Sequence, residues 1–530
     1  MDLFRKQFTG KLTWYFLAGI TIAHIIAIFA RDTTFALPVL VILGIATFIL
    51  TLKSLPQGLF VAFAEIFVGG HGHLIEVEVF GFSMSLRMVI FASVMLAWLI
   101  LFIKKDAELR ILALREMPWL ILIAALIIGT VVGFINNDPA KVFDDMNGYL
   151  AIGYLLPILS IRWTSSTKRD LLQVLFAGAV WLVFFTLLLS FLFNHLDGKT
   201  LSHVYTFVRD ARLAEITLQT ASDTSELSIL QNQYWYRIFM QSQLFVVTMI
   251  LLIFSAMVMM WRNQRLPGLP AASFALLGST LILSMSRSFA FGLIAAGLLL
   301  IIVAFFQGKK PVSNVIKRLI LSIVLGTIAL LIAVGSALIP IPAKPDISDA
   351  SFYRTSTDID RELSISSRWQ LLPAMMEQIQ RSPIIGSGFG TEVTFISDDP
   401  RVRAINPSGE WTTYRFEWGY QDIWLKTGVL GLIAFGWYAI LIFIAVRFTM
   451  KRHGNAWLSA GLGAGVLALF IINIFTPFLN HPIGIISMLF VLPFLDFEGL
   501  TKKFQESRAK ARRFSAVKEM SPAMSVDEKA

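Results

Sequence analysis

Residues 284–310 read SMSRSFAFGLIAAGLLLIIVAFFQGKK, and the 21 residues between Arg287 and Lys309 carry no charge. An apolar run of about 20 residues is long enough for a helix to cross the hydrocarbon core of a bilayer. Arg287 precedes the run, and Lys309 and Lys310 follow it. The stretch therefore predicts a membrane-spanning helix with basic residues at both ends.

The rest of the chain has the same character. Of its 530 residues, 56% are hydrophobic and 15% are charged, whereas soluble domains carry about 25% charged residues. We predict an all-α polytopic membrane protein with about 14 transmembrane helices in a single bundle over residues 1–497. The predicted spans are 13–30, 34–52, 57–69, 84–104, 117–134, 147–162, 170–194, 236–261, 268–284, 288–306, 317–339, 421–446, 456–475 and 481–497. The third span contains Glu65 and is short, so it could be re-entrant.

Basic residues orient these spans. The net charge is +10, and the lysines and arginines concentrate in every second connection and at both ends. This is the positive-inside pattern of membrane proteins, and it accounts for the charge better than nucleic-acid binding does. We predict that both termini are cytoplasmic, with a basic polar tail over residues 498–530. The first apolar stretch is too long for the core of a signal peptide and is interpreted as an anchor.

Cysteine and histidine limit the possible chemistry. The chain has no cysteine, which excludes disulfides, thiolate catalysis and cysteine-ligated metals. The seven histidines include His71 and His73, but this spacing does not suit a pair of ligands on a helix. We therefore expect neither a metal nor another cofactor.

Two connections on the predicted outer side are long, at about 195–235 and 340–420. The second contains seven arginines, one lysine and eleven acids. Arginine presents a rigid fork that fits phosphate, although surface ion pairs explain a single arginine equally well. The apolar residues Trp369, Leu372, Met376 and Ile379 recur at helical spacing. They predict that this loop contains short amphipathic helices lying on the membrane surface.

The sequence PIIGSGFG at 383–390 follows the predicted loop helix. Proline and three glycines end the helix and allow a tight turn or a close approach of the backbone. As a phosphate cradle the pattern is weak, because no P-loop lysine follows it.

Charged residues also stand at the predicted outer membrane edge. Arg237 opens the eighth span, and Arg287 lies in the short connection between the ninth and the tenth. A charge there is costly unless it is paired or faces water, so each arginine either snorkels to lipid phosphates or serves a function. Glu417, Tyr420 and Trp424 would share one face of a helix that begins early. Glu417 is then either a general base or an acid stabilised by the helix dipole.

The order of these elements resembles the O-antigen ligase and O-antigen polymerase (Wzy-type) superfamily of bacterial membrane glycosyltransferases, over residues 234–475. An arginine opens a span, Ser286-Arg287 caps a hairpin, and the large loop carries Arg368-Trp369 and then PIIGSGFG. The resemblance implies a metal-independent, inverting glycosyltransferase that is multi-pass in the bacterial inner membrane, with its active site facing the periplasm. The implied partners are an undecaprenyl-diphosphate-linked glycan donor, a lipid-linked or lipid A core acceptor and membrane lipids, with no nucleic acid.

The resemblance also implies roles for single residues. Arg237, Arg287 and Arg368 would bind the diphosphate or stabilise it as it leaves, the first two as catalytic residues. O-antigen ligases carry a histidine as the base where this chain has Glu417, eleven residues before Gly428. Glutamate can deprotonate a hydroxyl too, so Glu417 is the predicted base. The further substrate-binding candidates are Arg361, Arg415 and Tyr420.

We predict a polysaccharide polymerase that joins lipid-linked glycan units. The first alternative is a ligase that transfers glycan to lipid A core or to protein. The alternative from another class is a flippase for lipid-linked oligosaccharides, since fourteen helices suit a transporter as well. Transporters usually hold their polar residues at the bilayer midplane and show internal repeats, whereas the polar residues here concentrate in the outer loops.

Overall fold

The computed structural model describes the backbone of most of the chain. The described residues are 2–79, 81–220, 234–260, 266–306, 312–339, 341, 355–356, 358–452 and 456–520. Side chains are described in these ranges except at 2–3, 82, 198, 220, 234, 355–356, 358–365, 401 and 510–520. Parts of both predicted long loops, and the end of the predicted tail, lie outside the described residues.

Most described residues lie in α-helices, which are numbered here in chain order. The first ten are α1 (Asp2–Phe8), α2 (Lys11–Ala30), α3 (Ala36–Lys53), α4 (Leu55–Val68), α5 (Leu86–Ile103), α6 (Met117–Asn136), α7 (Pro139–Met146), α8 (Leu155–Ser160), α9 (Ser165–His195) and α10 (Gly198–Asp210). The others are α11 (Gln243–Ser255), α12 (Gly268–Ser284), α13 (Arg287–Phe306), α14 (Val312–Leu338), α15 (Asp358–Arg381), α16 (Pro400–Ile405), α17 (Gly419–Arg452), α18 (Ala456–Ile472), α19 (Pro482–Val491) and α20 (Phe497–Met520).

Seven short strands form three small sheets, which the prediction of an all-α chain did not include. They are β1 (Glu76–Val79), β2 (Phe82–Ser85), β3 (Glu215–Thr220), β4 (Tyr234–Phe239), β5 (Thr355–Ser356), β6 (Val393–Ile396) and β7 (Glu410–Thr413). β1–β2 and β6–β7 are antiparallel pairs, while β3 pairs with β4 antiparallel and with β5 in parallel. Since β3 lies in the first predicted long loop and β5 in the second, one sheet joins the two loops.

Fewer helices are long and apolar enough to be membrane spans than the sequence predicts. Among the described residues, nine helices are long and apolar enough to cross a bilayer, or ten if the bent pair α19–α20 is one span. Three shorter apolar helices are α4, α12 and α18. The predicted span 147–162 is a 3-10 helix over Asn147–Tyr154 that leads into α8, because Gly148 and Pro157 are poor in an α-helix interior. The multi-pass helical fold is confirmed, while the count of about 14 stays a prediction.

Burial separates central helices from peripheral ones. The apolar stretches of α9 and of Gln243–Met260, which is α11 with the π-helical turn that follows it, are 72% and 83% buried, against 17% for α14. On α13, Ile294 and Leu298 are exposed while Gly292 and Ala296 are buried. Small residues let neighbouring helices approach closely inside a membrane, where the outward side chains meet lipid. The exposed apolar stripes therefore mark the lipid-facing surface of the bundle.

The strands and α7, α10, α15 and α16 gather at one end of the bundle, which we call the site end. Arg31, just after α2, donates to the carbonyl oxygen of Asp210 in α10 over 2.7 Å. The N–H of Gly390, just before β6, donates to Asp145 of α7 over 2.9 Å. The other end of α17, at Arg452, is far from this region because a helix rises about 1.5 Å per residue.

Candidate functional site

Arg237 is held by a strand and not by the start of a helix. It lies in β4 opposite Thr217 of β3, and α11 begins only at Gln243, so the predicted location at a helix start is wrong. Its sequence, YWYRIF, is rich in the aromatic and β-branched residues that favour strands. The Nε of Arg237 donates to the carbonyl oxygen of Ser284 over 2.9 Å. The strand thus fixes Arg237 against the turn that carries Arg287.

Arg287 lies where the sequence places it, at the tight connection between α12 and α13. Met285 adopts a left-handed backbone with φ 48° and turns the chain between the helices. The hydroxyls of Ser286 and Ser288 are 3.1 Å apart, and Thr476 donates to Ser288 over 3.1 Å. Arg287 itself is exposed at the first position of α13. This short hydroxyl chain holds the turn against the connection between α18 and α19.

Glu417 forms an ion pair with Arg368, and about half of each side chain is exposed (53% and 47%). Glu417 lies before α17 begins at Gly419, so the predicted helical face shared with Tyr420 and Trp424 is wrong. Trp418 fixes the pair, because its Nε1 donates to the carbonyl oxygen of Arg368 over 2.8 Å. Partial removal from water lowers the pKa of Arg368, and the charge of Glu215 opposes that shift.

Aromatic side chains connect these residues into one region. Phe239 lies 5.0 Å from the guanidinium of Arg237 and stacks on Phe289 at 5.6 Å. Phe475 lies 6.1 Å from Trp418 and 6.2 Å from Phe291, one turn beyond Arg287. In addition, Arg368 is within electrostatic reach of Glu215, which pairs with Phe239 across β3 and β4. We call the residues Arg237, Arg287, Arg368 and Glu417 the arginine–glutamate cluster.

The other predicted substrate-binding residues lie elsewhere. Arg415 pairs with Asp144, which also accepts a hydrogen bond from Tyr414 over 2.8 Å. Burial raises the pKa of Asp144, but the hydrogen bonds from Arg415 and Tyr414 outweigh it and leave that pKa below its ordinary value. Tyr420 donates to the carbonyl oxygen of Phe470 over 2.7 Å, a bond between two helices. The backbone of Arg361 lies in α15, and its side chain is outside the described residues.

The predicted loop helix forms, with a shifted buried face. α15 buries Leu371, Met375 and Ile379, while Trp369 is exposed and meets Trp418 edge to face at 4.8 Å. The buried residues recur every four positions, and they pack with the apolar residues of β6 and the start of α17. Of the face predicted from spacing, Ile379 is buried as expected and Trp369 is not. The difference arises because Trp369 packs sideways against the residue that holds the ion pair.

The segment PIIGSGFG is a backbone clamp between α6 and α17. The amide of Ser387 donates to the carbonyl oxygen of Leu425 over 2.7 Å, and Phe389 donates to that of Gly129 over 3.0 Å. Gly388 has φ 87°, and a Cβ there would lie 2.3 Å from the backbone nitrogen of Gly133. Since these amides already bond to protein carbonyls, they do not form the open nest that a phosphate needs.

A buried ionic triad, which sequence reasoning missed, lies beneath this clamp. The Nζ of Lys426 is 2.6 Å from Asp145 and 2.5 Å from Asp422, and the three side chains are 3%, 7% and 1% exposed. Asp145 accepts from Gly390, and Asn480 donates to Asp422 over 2.7 Å. The triad therefore ties α7, the clamp, α17 and the α18–α19 connection together. The four-residue spacing of Asp422 and Lys426 is a signal that could have indicated a helical ion pair, but nothing in the sequence pointed to Asp145.

A histidine recess beside Arg415 was missed as well. Part of His71 is exposed, but its ring is surrounded by protein and meets that of His481 edge to face at 5.3 Å. Desolvation by the surrounding protein, and then the charge of Arg87, lower the pKa of His71 to about 4. Arg87 itself is paired with buried Glu65 over 2.8 Å. Within the part of the chain that the structure describes, no group of three or more His, Asp or Glu side chains is placed to hold a metal ion.

Comparison with known proteins bears on the cluster directly. Residues 272–436 match a family model described as O-antigen ligase. The matched segment contains Arg287, Arg368, Glu417 and the clamp, whereas Arg237 precedes it. No curated protein matches the chain. The match confirms, over residues 272–436, the resemblance to the O-antigen ligase and polymerase family that the sequence predicts.

Proposed function

We propose that the chain is a polysaccharide polymerase, which joins undecaprenyl-diphosphate-linked glycan units at the outer face of the bacterial inner membrane. The family match gives the coarser statement, an O-antigen ligase or polymerase type of membrane enzyme. The observation that carries the finer proposal is the arginine–glutamate cluster, in which cations and one carboxylate meet at the site end. A lipid diphosphate and the sugar bonded to it require that combination of groups.

The arginines of the cluster suit the diphosphate. Guanidinium groups form paired hydrogen bonds with phosphate oxygens and keep their charge at all relevant pH values. Arg287 is exposed at the start of α13, and the bond from Arg237 to Ser284 brings a second cation to the same turn. Fixed cations stabilise the negative charge that develops on the leaving diphosphate. Arg237 and Arg287 are therefore the proposed leaving-group contacts.

Glu417 is the proposed general base. The hydroxyl oxygen of the acceptor sugar bonds to the anomeric carbon of the donor as the bond from that carbon to the diphosphate oxygen breaks. The hydroxyl proton passes to Glu417, and the diphosphate leaves with the electron pair. Attack from the face opposite the leaving group inverts the anomeric centre. Arg368 supports this role, because its guanidinium pairs with the carboxylate of Glu417 and holds that carboxylate in place.

The second candidate is a ligase that transfers the glycan to lipid A core or to a protein. The description of the matched family favours it. Glu417, in the position of the histidine of O-antigen ligases, favours the polymerase. A flippase is supported less well, since the cluster lies at one end of the bundle and not midway along it.

The test is polymer synthesis from lipid-linked repeat units by the purified protein in liposomes. Arg287→Ala and Glu417→Gln should each lower the rate by about 100-fold or more, the usual scale for a lost charge contact or base. The matched controls are Arg381→Ala and Glu377→Gln, which remove an exposed ion pair of 2.7 Å on α15. These controls should keep the rate of the unaltered protein.

Each other outcome has a clear meaning. Polymer of normal length and rate from both Arg287→Ala and Glu417→Gln would contradict the proposed roles. Transfer of finished glycan to lipid A core, without growth in chain length, would favour the ligase. Loss of lipid-linked glycan from the outer leaflet in cells without the protein would favour the flippase.

A further inference from the structure

The end of the bundle opposite the site end carries an amphipathic helix. α19 and its 3-10 extension, Pro482–Phe494, meet Phe497–Ala509 of α20 at a bend of 71°. If α19 runs through the membrane, such a bend lays α20 close to the membrane plane. Phe497 and Leu500 of α20 are buried while Phe504 is exposed on the same side of the helix. This is the pattern of a helix lying in the membrane interface.

A cavity of about 290 Å³ lies between α20 and the last turns of α17. Its apolar wall consists of Ile444 and Phe448 of α17 with Leu500 and Phe504 of α20. One water occupies about 30 Å³ in the liquid, so the cavity has room for a phosphate-containing headgroup and not for a whole lipid.

Three cations line the same cavity: Arg447, Lys451 and Lys503. The Nζ of Lys503 lies 5.8 Å from the centre of the Phe448 ring, which holds the ammonium over the apolar wall. The nearby carboxylate of Asp496 pairs with Arg452 over 3.2 Å. Within the described part of the chain, the residues that line the cavity include no acid. The cavity therefore combines cationic side chains with an apolar wall.

The apolar wall continues along the lipid-facing surface of α17. Trp437, Ile440 and Phe443 are exposed and lie one to three turns from Arg447 toward the middle of the helix. A free phosphate ion would use only the cations, whereas a phospholipid would use the cations and this stripe together. On the predicted topology this end faces the cytoplasmic leaflet, which carries anionic lipids.

We propose that this cavity binds the headgroup of an anionic phospholipid, with the acyl chains along the exposed stripe of α17. The phosphate lies among Arg447, Lys451 and Lys503, and the glycerol lies over Phe448. The bound lipid holds α20 against the end of α17. This site lies at the other end of α17 from Glu417 and is independent of the proposed transferase activity.

The test is lipid binding to the purified full chain in detergent, followed by native mass spectrometry. The probes are phosphatidylglycerol, phosphatidylcholine with the same acyl chains, and inorganic phosphate. Lys503→Gln should weaken phosphatidylglycerol binding by about fivefold, and Lys503→Gln with Arg447→Gln and Lys451→Gln by about 100-fold. The matched control is Lys502→Gln, an exposed neighbour on α20 that does not line the cavity, which should change binding by less than about twofold.

Three results would overturn the proposal. The first is equal binding of phosphatidylglycerol and phosphatidylcholine, which would show that the cations do not select charge. The second is an equal effect of Lys502→Gln and Lys503→Gln, which would indicate a diffuse surface attraction. The third is displacement of phosphatidylglycerol by inorganic phosphate at a similar concentration, which would make the ligand a free anion.

Discussion

Replacing Lys426 by methionine should strongly destabilise the bundle. The Lys426 ammonium lies 2.6 Å from Asp145 and 2.5 Å from Asp422, in a site that water does not reach. Methionine keeps most of the volume, so little of the cost comes from a cavity. The two carboxylates would instead face each other with only the donors from Gly390 and Asn480. Removing one partner of a buried ion pair costs about 3–5 kcal/mol.

The measurement is the apparent melting temperature of the purified protein in detergent at a fixed heating rate, because large proteins often unfold irreversibly. The control is Lys104→Met, at an exposed position just after α5, which should cost within about 0.5 kcal/mol. Adding Asp422→Asn to Lys426→Met removes one of the unpaired carboxylates and should recover part of the loss. The prediction is contradicted if the Lys426→Met variant melts at the same temperature as the Lys104→Met variant. It is also contradicted if adding Asp422→Asn to Lys426→Met lowers the melting temperature further.

Two further predictions concern the histidine recess and the clamp. Because the pKa of His71 falls from 6.5 to about 4 on folding, the unfolded chain binds protons that the folded chain does not, and stability is lost as pH falls from 6.5 to 4. His71→Gln should reduce this loss in melting curves taken between pH 7 and pH 4, and an unchanged slope would contradict it. Gly388→Ala should destabilise by about 2 kcal/mol or more, because the new Cβ meets the backbone of Gly133 and φ is 87°. Gly326→Ala, with open space around its Cβ, should be neutral or stabilising by up to about 1 kcal/mol, and equal effects of the two changes on melting temperature would refute the clamp.

Spacing and charge could predict the helices, because a membrane span follows from one local property, the length of its apolar run. The strand that holds Arg237 could not be found in this way. Only Met240, Gln241 and Ser242 separate it from the apolar helix α11. Its partner β3 lies about twenty residues earlier in the chain. An apolar run alone does not separate a buried strand from the first turns of a helix.

The residues of the candidate site likewise differ in whether a local sequence pattern could identify them. Arg287 and Glu417 were identified because a charge stands next to a span, which one sequence shows directly. The pairing of Lys426 with Asp145 joins positions 281 residues apart, and no local pattern carries that information. The clamp is an intermediate case, since its glycines predict a close backbone approach without naming Gly129 or Gly133 as the partner.

The position of Glu417 explains why the triad and the proposed chemistry belong together. Glu417 lies in the irregular segment 414–418 between β7 and α17, so no helix orients it. Trp418, bonded to the carbonyl oxygen of Arg368, and Asp422, one turn into α17, are the nearest fixed points. If Lys426 no longer holds Asp422, the start of α17 loses its tie to α7 and the carboxylate of Glu417 moves relative to Arg287. A base displaced by about 1 Å can lose about 100-fold in rate. In the proposed enzyme, the buried triad therefore helps to position the exposed carboxylate of Glu417.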